Sequence, residues 1–124
     1  MPSSLNKVMV IGNVGRDPEM RYTPDGSAVT SFSVAATDHW TTKAGDRQER
    51  TEWFNVVAWN KLAEICAEYI RKGMCVYIDG RLQTREWEAS DGQPRKRVEV
   101  VASTMIMLSG KAQTEEVEED ELPF

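Results

Sequence analysis

Alternation of apolar and polar positions is the dominant signal along the chain. Residues 28–40 place Phe32, Val34 and Ala36 on one face of a strand and Ser31, Ser33, Ala35 and Thr37 on the other. Residues 51–59 alternate differently: Phe54, Val56 and Ala58 suit a core, whereas Trp53, Asn55, Val57 and Trp59 share the opposite face. A half-buried sheet normally keeps that second face polar. Two indoles there mean either a strand covered on both sides or a surface that binds something. Residues 6–14 contain Val8-Met9-Val10-Ile11, which predicts a strand buried on both sides. Residues 75–88 set Ile78, Gly80, Leu82 and Thr84 against Tyr77, Asp79, Arg81, Gln83, Arg85 and Trp87. A last strand, mostly Val, Ile and Met, spans 95–108.

The period changes once. Over 61–72, Leu62, Ile65, Cys66, Tyr69 and Ile70 recur at helical spacing. Asn60 is the expected N-cap and Gly73 the C′ stop, with Arg71 and Lys72 suited to the negative end of the helix dipole. Thr23-Pro24-Asp25-Gly26 and Ser90-Asp91-Gly92-Gln93-Pro94 are turns, and 43–50 reads as an exposed hairpin loop. Gly12 and Gly15 suggest bends in a curved strand, since no helix follows to make a phosphate loop. Three long strands, one helix and two more strands predict an all-β protein with one helix, a five-stranded closed barrel of OB type.

Length allows one such unit: 124 residues and 14.0 kDa. The net charge of −5 would argue against nucleic acid, but it is unevenly spread. Six of the 20 acidic residues lie in 115–121, leaving 14 acidic and 15 basic residues in 1–114, a net charge of +1. The expected organisation is a folded domain over 1–109, a short linker over 110–114 and an acidic tail over 115–124. The tail has too few apolar groups for a core, so disorder is expected there. The opening apolar run is too short for a signal peptide or a membrane span, which makes a cytoplasmic location the expectation. Cys66 and Cys75 sit in apolar contexts as reduced thiols, and with His39 the one histidine, neither a metal site nor a cofactor is expected. His39, Asp38, Glu52 and Asp79 are scattered, so no catalytic constellation is predicted and no enzymatic activity is expected.

Candidate chemistry lies in the aromatic residues. Trp40 closes its predicted strand where the polar loop begins, and Trp53, Trp59 and Trp87 fall on outward faces. Lys43, Lys61, Lys72, Arg81 and Arg85 lie near them in the chain or on the same strands. Rings of this kind stack on unpaired bases while the cations neutralise phosphates. A duplex hides its base faces, so the pattern points to single strands.

Several stretches carry a family resemblance. They are Asn6-Lys7-Val8, Gly12-Asn13-Val14-Gly15-Arg16-Asp17-Pro18-Glu19, Arg21-Tyr22, Thr51-Glu52-Trp53 and Lys61-Leu62-Ala63-Glu64. Val76-Tyr77-Ile78-Asp79-Gly80, Thr84-Arg85-Glu86-Trp87 and the final Leu122-Pro123-Phe124 complete the set. Together, over residues 5–109 and the last five, the chain resembles the bacterial single-stranded-DNA-binding protein family. The resemblance implies a homotetramer of OB folds that wraps single-stranded DNA in replication, recombination and repair, in the cytoplasm and associated with the nucleoid. It implies stacking at Trp40, Trp53, Trp59 and Trp87, where the family often has phenylalanine in place of Trp59. Asn55 and Glu86 depart from the family by standing where relatives can carry cations.

The resemblance also implies that Asp120, Glu121, Leu122, Pro123 and Phe124 recruit replication and repair proteins. A terminal ring, a carboxylate and flanking acids suit an apolar pocket rimmed by Arg or Lys. The five-residue linker spans only about 17 Å when extended, which would hold such partners close to the domain. Because stacking does not read the 2′-hydroxyl, an RNA-binding or primosome-type OB-fold accessory protein is the alternative.

Overall fold

The alternating segments become strands β1 (Val8–Val14), β2 (Glu19–Tyr22), β3 (Ala28–Thr41) and β4 (Arg47–Trp59), then helix α1 (Asn60–Tyr69), then β5 (Cys75–Glu88) and β6 (Pro94–Met107). This computed structural model describes residues 3–109, so the linker, the acidic tail and its Asp120, Glu121, Leu122, Pro123 and Phe124 tip lie outside the described residues.

Antiparallel ladders join β1 to β5, β5 to β6, β3 to β4 and β2 to β3, while β4 runs parallel to β6. A β1–β3 pairing closes the ring β1–β5–β6–β4–β3 into the five-stranded OB-type barrel expected from the sequence. Two seams of that ring are short. β1 meets β3 at Asn13↔Ala35 and Val14↔Val34, and β4 meets β6 at Val56↔Val100 and Val57↔Val101.

Inward residues of every barrel strand build one core: Val10, Phe32, Val34, Val56, Ile78 and Val100 are all buried. Helix α1 closes one end with Ala63 and Cys66, and the buried Thr30 hydroxyl donates to the Ala63 carbonyl at 2.7 Å. Curvature requires glycine at two crossings. A Cβ on Gly12 would run into the Ala35 carbonyl, and one on Gly80 into that of Val101. Gly80 also borders the register shift in the β5–β6 ladder.

Several expectations need correction. β2 is an extra strand, too short, polar and exposed to announce itself by alternation. The 43–50 loop shrinks to residues 42–46, because Asp38↔Arg50, His39↔Glu49 and Trp40↔Gln48 continue the ladder as polar cross-strand pairs. Trp59, not Asn60, occupies the N-cap, with no side-chain hydrogen bond. Asn60 instead takes a left-handed φ of 57°, turning the strand directly into the helix, a conformation asparagine tolerates. The helix stops at Tyr69. Gly73 serves the following turn, at φ 93°, in which Met74 N–H donates to the Arg71 carbonyl. Arg71 still serves the helix end by donating to the Ala67 and Ile70 carbonyls. Tyr69 is exposed where the helical stripe had it buried, and Ala63 takes that role. Met9 and Ile11 face outward, 64% and 55% exposed, so β1 is covered on one side only within this chain. Cys66 is buried and Cys75 half-buried, and both are free thiols.

Candidate nucleic-acid interface

The ladder between β3 and β4 decides which way the β4 rings point. Val29↔Trp59, Ser31↔Val57, Ser33↔Asn55 and Ala35↔Trp53 pair without a break in register. Trp53 and Trp59 therefore leave the barrel on its outer side and are 60% and 41% exposed. Six residue steps separate them, roughly 20 Å of strand. The Trp53 ring lies so close to Gly15 that a Cβ there would collide with its far edge. Absence of a side chain at Gly15 thus gives the indole its resting place.

A second row runs along β5. Arg81, Gln83, Arg85 and Trp87 share its outer face, opposite Val101, Glu99, Arg97 and Arg95 of β6. Trp87 is 40% exposed, and the Arg85 guanidinium carbon stands 4.7 Å from its ring centroid, a cation–π contact. Beneath them Glu99 is buried, accepting a hydrogen bond from Arg85 Nε at 3.3 Å and lying 4.0 Å from Arg97 Nη1.

Between the two rows lies a groove of about 440 Å³. Val29, Val57 and Val101 supply its apolar lining and Trp59 one aromatic wall. Arg16, Arg21, Arg85 and Arg97 border it, accompanied by Glu19 and Glu99. Apolar surface, an exposed ring and several guanidiniums within one groove suit a ligand with flat faces and negative charge. Sequence reasoning missed Arg16, Arg21, Arg97 and Glu99. The β5–β6 register sets Arg97 and Glu99 opposite Arg85 and Gln83, a placement that the alternation of β6 taken alone does not reveal.

The remaining residues singled out from the sequence are dispersed. Trp40 pairs with Gln48 and shares the parity of Phe32 and Val34, the opposite side of the sheet from Trp53 and Trp59. It is nonetheless 48% exposed, because the β3–β4 arm runs past the barrel. Lys43 sits in the turn at the tip of that arm. Lys61 is exposed in the first turn of α1, two residues beyond Trp59. Lys72 is exposed in the turn after α1, where its backbone N–H donates to Asp17 Oδ1 at 2.8 Å. That bond ties the turn to the β1–β2 loop that also carries Gly15. Arg81 is exposed and reaches Gln83 Oε1 at 3.5 Å. Among the described residues, no group of three or more His, Cys, Asp and Glu side chains is placed to hold a metal ion. No described helix is long and apolar enough to cross a membrane.

A model of the single-strand binding protein family matches residues 5–120. Two curated relatives named single-stranded DNA-binding protein, from Neisseria meningitidis serogroup A (serotype 4A) and serogroup B, are each 50% identical over 108 residues. Each match covers 87% of this chain and 62% of the relative, so the chain spans about three fifths of their length. Among solved structures, Plasmodium falciparum SSB in complex with ssDNA superposes with a TM-score of 0.76 and 32% identity, over 88% of this chain and 99% of that one. A deletion mutant of the single-stranded DNA binding protein from Thermus aquaticus gives 0.73 and 31%, over 87% of this chain and 52% of that one.

Proposed function

The chain belongs to the single-strand binding protein family, and from that premise we propose that it binds single-stranded DNA without strong sequence preference. Bases stack on Trp53, Trp59 and Trp87, and on Trp40 where the strand crosses the β3–β4 arm. Lys43, Lys61, Lys72, Arg81 and Arg85 neutralise the phosphates, joined at the groove by Arg16, Arg21 and Arg97. The observation that carries this reading is one arginine-bordered groove with Trp59 in its wall and Arg85, stacked on the exposed Trp87, on its other side. Every base has a π-face, so such a surface accepts any sequence. The surface binds and covers; it performs no chemistry on the strand.

Two further parts belong to the same reading. The chain works as a homotetramer, consistent with the exposed apolar face formed by Met9, Ile11 and Ile106, of a kind that marks association surfaces. The acidic tip Asp120, Glu121, Leu122, Pro123 and Phe124 recruits replication and repair proteins to the covered strand. Its place of work is the cytoplasm, on the nucleoid.

Intrinsic tryptophan fluorescence titrated with poly(dT) across a salt series tests the binding claim. Strong quenching, with affinity falling linearly on a log–log salt plot, is the expected result. Absence of quenching contradicts the reading. A competition between DNA and RNA oligomers of one sequence separates it from RNA binding, since DNA is expected to win.

A further inference from the structure

We propose that Glu99 is a positioning residue of this interface: a buried carboxylate that holds Arg85, and through it Trp87, in place before a strand arrives. The inference rests on the binding reading above and goes beyond it. Glu99 is 4% exposed and is the one charged side chain buried among the described residues. Burying a carboxylate is costly unless it is paired, so its partners explain why it is there. They are two arginines of the groove. Arg85 and Arg97 face each other directly across the β5–β6 ladder, where like charges repel. Glu99 lies two residues beyond Arg97 on the same face, opposite Gln83, and reaches both guanidiniums from below.

The geometry separates positioning from masking. Glu99 engages Arg85 through Nε, which leaves the other guanidinium N–H groups for a bidentate grip on phosphate. Arg85 and Arg97 remain 49% and 41% exposed while paired. The same fixed guanidinium rests on Trp87. A carboxylate orders the cation, the cation orders the ring, and less freedom is left to lose on binding. If Glu99 acted as a stand-in phosphate, its removal would release the arginines and tighten binding.

The test measures the affinity of a dT oligomer and its salt slope for the full-length wild type, Glu99→Gln, Glu99→Asp, Arg85→Ala and the Glu99→Gln/Arg85→Ala double variant. Glu99→Gln is expected to weaken binding about fivefold, the scale of exchanging a charge-assisted hydrogen bond for a neutral one. Its salt slope should become shallower by at most about 0.7, one phosphate contact on a single strand. Glu99→Asp keeps the charge but withdraws the carboxylate, so it too should weaken binding, and it decides the matter if Glu99→Gln does not fold. In the Arg85→Ala background Glu99→Gln should cost nothing more. Unchanged or tighter binding by the Glu99 variants, or full additivity with Arg85→Ala, overturns the inference while wild-type quenching stands. Loss of quenching in the wild type overturns the binding reading instead.

Discussion

Trp53 and Gly15 form a working pair, one supplying a ring and the other the space beneath it. Trp53→Ala is expected to cost about 1–3 kcal/mol of single-strand binding, a range measured on single-strand binders of this architecture rather than derived from this chain. The melting temperature should barely move, because the ring is 60% exposed. Gly15→Ala pushes against the ring and the Ser33 hydroxyl and should weaken binding by a smaller amount; a titration and a melting curve check both variants. Cys66 gives a pH prediction. Burial pushes its thiol up from 9.0 to about 11, so folding favours the protonated form. That contribution is whole below pH 9.0 and fades as pH climbs toward 11. Melting curves across this window should fall more steeply for the wild type than for Cys66→Ala. That Trp53 and Trp59 share the face opposite Val56 and Ala58 was legible from parity; that this face lies open was not, because a strand covered on both sides has the same pattern. Glu99 was not legible either, since a lone acid between valines reads as a solvated position until the strand opposite it is known.

Among the elements, β5 carries most of the mechanical demand. Its Gly80 passes the Val101 carbonyl so closely that Gly80→Ala must move backbone, and overpacking of that kind costs roughly 1–3 kcal/mol. Chemical denaturation should show this loss, with DNA affinity of the remaining folded protein reduced as well, because the same strand presents Arg81, Arg85 and Trp87. Long strands with one apolar face were legible because burial enforces their period. β2 was not, for all four of its residues are exposed and only hydrogen bonding to β3 makes it a strand. The extension of the β3–β4 arm escaped notice for the same reason: its rungs include polar pairs such as Asp38↔Arg50 and His39↔Glu49. Asn60 misled because a good capping residue also suits a left-handed corner.

For the molecule as a whole, charge is divided between a near-neutral domain and an acidic end. Removing residues 115–124 takes away six acidic residues. Single-strand affinity at low salt should then rise and recruitment of partner proteins should cease, since a tethered polyanion competes with phosphate for the same cations. Pull-down and titration of the truncated chain check both halves. The short β4–β6 seam bears on this scale too. Only Val56 and Val57 meet Val100 and Val101 there, and Val57 and Val101 also line the groove. One of the barrel's two short seams thus runs beneath the place where a strand would lie. A bound polymer gripping Trp59 on one bank and Arg85 on the other acts as a splint, so amide hydrogen exchange at Val57 and Val101 should slow with DNA more than exchange along the long β3–β4 ladder.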